Sequence, residues 1–92
     1  MAFQFRLSDE LKVKLRKLSK RDRFRTEIIN KKIKEIIADD SETIERYKNL
    51  KYGLSQFKRI HIDKSFVLIF RVDKKNNLIV FEDFGHHDDI YR

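Results

Sequence analysis

Five consecutive apolar residues, Phe66-Val67-Leu68-Ile69-Phe70, followed by Arg71 and Val72, leave no polar face along that stretch. Aromatic and β-branched side chains in so short a run describe a strand buried on both faces. Such a strand needs sheet neighbours on either side and cover above and below. The chain has 92 residues and no Cys. Disulfides, Cys-ligated zinc, iron–sulfur clusters and cysteine nucleophiles are therefore excluded. Cover must come from the 40% of residues that are apolar, enough for one core and one domain over residues 1–92. The same run is far short of the roughly 20 residues that cross a bilayer, and the polar start Met1-Ala2-Phe3-Gln4-Phe5-Arg6 does not read as a secretory signal. A cytoplasmic protein with no membrane partner is expected.

The neighbours of the run are legible from period. Phe3, Phe5 and Leu7 alternate with Gln4 and Arg6, the pattern of a half-buried strand. Ser8 reads as a helix N-cap, with Asp9 and Glu10 in the first turn where the helix dipole favours anions. Leu11, Leu15 and Leu18 then make one apolar stripe to about Ser19. Asp22 is a possible cap for a second helix, with Phe24, Ile28, Ile29, Ile33, Ile36 and Ile37 on its buried side. Asp39 and Asp40 stand at its end, an unfavourable place for acids, so fraying is expected there. A short helical turn over Glu42 to Tyr47 follows. Beyond it, Ile60 and Ile62 alternate with Arg59 and His61, and Asp73 to Asn77 turns the chain into a last strand, Leu78 to Phe84. The order is β-α-α-β-β-β. The expected fold is α+β: a small, mostly antiparallel sheet with an N-terminal helical hairpin on one face and the other face open.

Net charge is +7 from 22 Lys/Arg against 15 Asp/Glu, which points to a polyanionic partner. The surplus is uneven: +8 over residues 1–34 and +5 over 51–75, against −3 in each of the stretches 35–50 and 76–92. A heat-adapted surface would explain 40% charged residues, but it predicts near balance.

Three groups can carry chemistry. In Arg59-Ile60-His61-Ile62, strand parity projects Arg59 and His61 together. Arginine can grip phosphate in a planar, two-pronged contact and histidine can move protons near neutral pH; a solvated strand face is the alternative. Gly85-His86-His87-Asp88-Asp89-Ile90-Tyr91-Arg92 is a dense polar cluster. It reads as acid–base chemistry at a phosphodiester with tyrosine as donor or stacking platform, as a divalent-ion site, or as a polar tail pinned by Ile90 and Tyr91. Adjacent histidines rarely face one ion, so no metal or other cofactor is expected. Parity also puts Arg71 with Val67 and Ile69, where it can extend the surface holding Arg59. No Gly-rich phosphate loop or nucleophile elbow is present. The hairpin also lacks the Gly-bearing turn of helix-turn-helix units.

Taken in order, these residues resemble the RelE/ParE superfamily of type II toxins, on the RelE, YoeB and YafQ side. The likeness runs from the opening strand and hairpin through Leu50-Lys51, Phe57-Lys58-Arg59 and Phe66 to Phe70, and ends in His87-Asp88-Asp89-Ile90-Tyr91. It implies a ribonuclease toxin that cuts mRNA, commonly on the ribosome and without metal, and a cognate acidic antitoxin that wraps it in a hetero-oligomer. It implies catalytic roles for Arg59, His61, His87 and Tyr91 and phosphate-binding roles for Lys51 and Lys58; Lys64, Arg71 and His86 are expected to add RNA contacts. Val67 stands where RelE-like members usually place an arginine, so Arg71 or His61 takes over that role or activity is weak. A ParE-like inhibitor of a topoisomerase, or a member that only pairs with its antitoxin, are the alternatives.

Overall fold

Alternating side chains near the N-terminus do form a strand, but its partner lies at the far end of the sequence. The computed structural model describes residues 3–50 and 56–90. In chain order it contains β1 (Gln4–Leu7), α1 (Asp9–Arg21), α2 (Arg23–Ile37), a 3-10 turn (Thr43–Arg46), β2 (Phe57–His61), β3 (Phe66–Asp73), β4 (Leu78–His86) and α3 (His87–Ile90). The sheet order is β1-β4-β3-β2. β1 runs parallel to β4, and the other two pairings are antiparallel. Among the described residues no helix is long and apolar enough to cross a membrane.

The helix boundaries follow from side chains that satisfy orphan backbone groups. Ser8 accepts the Leu11 N–H at 3.1 Å and so starts α1. Asp22 serves both helices: its N–H closes α1 on the Leu18 carbonyl at 2.7 Å, and its carboxylate accepts the Arg25 N–H at 3.0 Å to open α2. The hairpin thus breaks at one residue, with no Gly or Pro. Asp39 and Asp40 are each accounted for. Asp40 accepts the Glu42 and Thr43 N–H groups, both at 2.9 Å, capping the 3-10 turn. Those bonds, Thr43 first, hold its carboxyl below the usual range. Asp39 pairs with Arg46 at 3.2 Å. In the β3–β4 turn Asn77 takes a left-handed φ of 53°, which asparagine tolerates better than most residues.

The main core lies between the helices and one sheet face. Leu11, Leu18, Ile29, Ile33 and Ile36 pack with Leu68, Phe70, Ile79, Phe81 and Phe84. Phe24 departs from expectation: it is 74% exposed. With Asp22 as the cap, the apolar stripe of α2 begins at Ile28 and Ile29, and Phe24 falls outside it. The opposite sheet face is not wholly open. Leu50, Val67 and Ile69 are buried there, with Phe57 packed against them. β3 is therefore covered on both sides, as its composition requires.

Candidate functional site

Register decides which side chains share a face. Across β2 and β3, Arg59 is opposite Ile69 and His61 opposite Val67. Both side chains therefore stand on the face away from the helices, as parity predicts. On β4 the residue opposite Val67 is Gly85. The row His61–Val67–Gly85 has a low floor, because glycine adds no side chain to it. His87, just beyond, opens α3, and its imidazole lies 6.1 Å from that of His61, ring centroid to centroid, with the planes tilted by 34°. The two residues are 26 positions apart in sequence. The sheet is what brings them together.

The backbone under this pair is held from the helical side. The His87 N–H donates to the Ser65 carbonyl at 2.7 Å. Ser65 belongs to the β2–β3 turn, which Asp63 fixes by accepting the Ser65 N–H at 2.9 Å and the Phe66 N–H at 3.3 Å. The second carboxylate oxygen of Asp63 receives Nε of Arg25 at 3.2 Å. The Arg25 guanidinium also lies 4.2 Å over the Phe66 ring and bonds Asp22 at 2.9 Å. These contacts, the Ser65 N–H first, keep the Asp63 carboxyl below its usual range. Lys64 sits exposed in the same turn. Sequence reasoning missed Arg25 and Asp63 because the hairpin and this turn are distant in the chain.

Other expected site residues lie elsewhere. Lys58 points to the helix side. It is 4% exposed, and its ammonium donates to Asn49 Oδ1 at 2.9 Å and the Tyr47 carbonyl at 3.2 Å. Glu45 is 3.7 Å away. Strand alternation is the reason: adjacent Lys58 and Arg59 must face opposite ways. His86 is likewise on the helix side, edge-on to Phe66 with ring centroids 5.5 Å apart, and its Nδ1 accepts the Asp88 N–H at 3.2 Å. Arg71 does share the face of Arg59, but it stands opposite Phe57 at the far end of β2 and pairs with Glu82 at 3.3 Å. A register shift beyond Ile69 turns Glu82 toward it. Val67 is fully buried in the Leu50 cluster, so the strand position opposite His61 carries no charge. Lys51 and Tyr91 lie outside the described residues.

Beside Arg59 and His61 runs a cleft of about 290 Å³, lined also by Arg46, Tyr47, Lys48 and Ile60. Sequence reasoning did not single out Arg46-Tyr47-Lys48, although an aromatic between two cations is a recognisable signal for nucleic acid. Burial is the main cause that pushes the Tyr47 hydroxyl above its usual range. Among the described residues no group of three or more His, Asp or Glu side chains converges to hold a metal ion.

No family model matches the chain. It is 51% identical over 78 residues, 85% of this chain and 79% of the relative, to a Methanocaldococcus jannaschii protein that carries the toxin name RelE4. Among solved structures, YafQ of Escherichia coli BL21(DE3) has the same fold at a TM-score of 0.74 and 14% identity, over 98% of this chain and 99% of that one. The E. coli DinJ–YafQ toxin–antitoxin complex matches at a TM-score of 0.73 and 15% identity, over 100% of both chains. Half of the aligned residues shared over most of both sequences, on a fold common to solved toxins, is decisive: the chain belongs to the RelE family of toxins.

Proposed function

We propose that this toxin is an endoribonuclease that cuts mRNA, with His61 and His87 dividing the proton transfers and Arg59 holding the scissile phosphate. The observation that supports this most is the approach of the two imidazoles to 6.1 Å on the face that carries Arg59. The RNA supplies its own nucleophile. The 2′-hydroxyl oxygen attacks the adjacent phosphorus and gives its proton to one imidazole. The P–O5′ bond breaks, and the leaving 5′-oxygen takes a proton from the other, charged, imidazole. The products are a 2′,3′-cyclic phosphate and a 5′-hydroxyl. The guanidinium of Arg59 offsets the charge that builds on the phosphoryl oxygens. Acid–base help of this kind is worth about 10²–10⁴-fold per participant. Tyr91, by the family likeness, would position or stack the substrate, with Lys51 and Lys64 on flanking phosphates.

The ribosome-bound mRNA and an acidic antitoxin belong to the same reading. A net charge of +7 suits both partners, and a toxin of this fold is held by its antitoxin in the DinJ–YafQ complex. Inducing the chain alone should arrest growth, and primer extension on cellular mRNA should show discrete cuts. His87→Ala and His61→Ala should each abolish the cuts while the protein stays folded. Cuts that persist in both variants would remove the active-site assignment. A second reading, a weakly catalytic member kept for antitoxin pairing, draws on Val67, which puts a buried methyl cluster where a cation would help. It predicts arrest-free expression with a stable antitoxin complex.

A further inference from the structure

The cleft next to the histidine pair is walled by a side chain held flat. Arg46 is 58% exposed, yet its guanidinium has three restraints. Nη2 donates to the Tyr47 hydroxyl at 2.9 Å and lies 3.2 Å from Asp39 Oδ1. The group also sits over the Tyr47 ring, 4.9 Å from its centroid. Tyr47 is itself braced, edge to face, by the fully buried Phe70 at 5.5 Å. The Asp39 side chain is only 10% exposed and its Oδ2 has no hydrogen-bond partner among the described residues, so the carboxylate depends on Arg46 for charge compensation. An exposed arginine ordinarily samples many rotamers. Here Tyr47, braced by Phe70, and Asp39 hold the half-exposed Arg46 guanidinium as a flat cationic group.

That plane lines the same cleft as Arg59 and His61, with Lys48 on its wall. The Lys48 carbonyl accepts the Arg59 N–H at 3.0 Å, which fixes the distance between the two cationic segments. Unpaired bases stack on guanidinium planes as well as on aromatic rings, and cations beside them take the backbone phosphate. We infer that the Arg46–Tyr47–Lys48 wall is a subsite for one nucleotide flanking the scissile phosphate, its base stacked on the Arg46 guanidinium and its phosphate held by Lys48. This inference rests on the ribonuclease reading above. It adds a consequence for substrate choice: stacking on a plane favours the larger rings, so one position beside the cut prefers purines.

The test uses the full chain and uncleavable 2′-O-methyl single-stranded RNA carrying 2-aminopurine at successive positions. Wild-type protein should quench the fluorophore strongly at one position. Arg46→Ala and Arg46→Lys should both lose that quenching and bind about 10-fold more weakly. Lysine keeps the charge opposite Asp39 without the plane, so its failure to rescue marks stacking rather than electrostatics. It also guards against misfolding of the alanine variant, with melting curves checked for both. Unchanged quenching and affinity in Arg46→Lys would overturn the subsite and leave the nuclease reading intact. Absence of binding by the wild type would remove both.

Discussion

Replacing Lys58 with methionine deletes an ammonium group from the interior and keeps most of the aliphatic stem. The sequence suggests that such a change weakens RNA binding, whereas the structure makes it a stability mutation. Two hydrogen bonds are lost, to Asn49 Oδ1 and the Tyr47 carbonyl, together with attraction to Glu45 at 3.7 Å. Hydrogen bonds from a charged donor are worth ~1.5–3 kcal/mol each, but removing the ammonium also relieves its desolvation. A net loss of about 2–4 kcal/mol follows from those ranges. In a domain of this length each kcal/mol moves the midpoint by about 4–8 °C, so Tm should fall by roughly 8–32 °C. Circular dichroism melting reads that directly. A salt titration of RNA binding below the new Tm supplies the second axis. Each phosphate contact on a single strand contributes about −0.7 to the slope of log K against log salt. Lys58→Met should leave that slope unchanged. A variant that melts within a few degrees of wild type yet loses one phosphate's worth of slope would refute the placement of Lys58 in the interior.

Arg59→Ala should behave in the opposite way, lowering the same slope by about 0.7. Asp22→Ala removes the cap of α2 and an ion pair with Arg25 at 2.9 Å; it should cost about 1 kcal/mol in urea unfolding, within the usual range for N-caps. In the folded protein the Asp63 carboxyl lies below its ordinary value, mainly because it accepts the Ser65 N–H. Its stabilisation is therefore complete above that value and is lost as pH falls through the lower, folded one. Chemical denaturation from pH 6 to pH 2 should show acid sensitivity that is blunted in Asp63→Asn. Phe24→Ser should change stability by less than about 0.5 kcal/mol, since its ring buries little, and should reduce self-association seen by light scattering.

Local pattern carried most of the architecture. Period-two alternation marked β1 and β2, the apolar run marked β3, and Ser8 and Asp22 announced the helix starts. Parity also placed Arg59, His61 and Arg71 on one face. What escaped was set by partners far along the chain. Lys58 belongs inside because Tyr47 and Asn49 present oxygens there, and His86 turns away from His61 because Phe66 pairs with it across β3–β4. Phe24 reads as core only until the cap at Asp22 fixes the phase of α2. The Arg46 plane depends on Asp39 and Phe70, neither of which signals it locally.

The parallel seam between β1 and β4 joins Gln4 to Leu78, and β4 is the sheet neighbour that β1 has. A nascent chain synthesised only through Asn77 thus holds an edge with nothing to zip against, and its two helices lack Ile79, Phe81 and Phe84 of the floor they rest on. Long-range closure of this kind is slow, since the loop entropy is lost before the contacts form. His87 emerges later still. Limited proteolysis of stalled chains of increasing length should show protection arriving late and all at once, when β4 has been made.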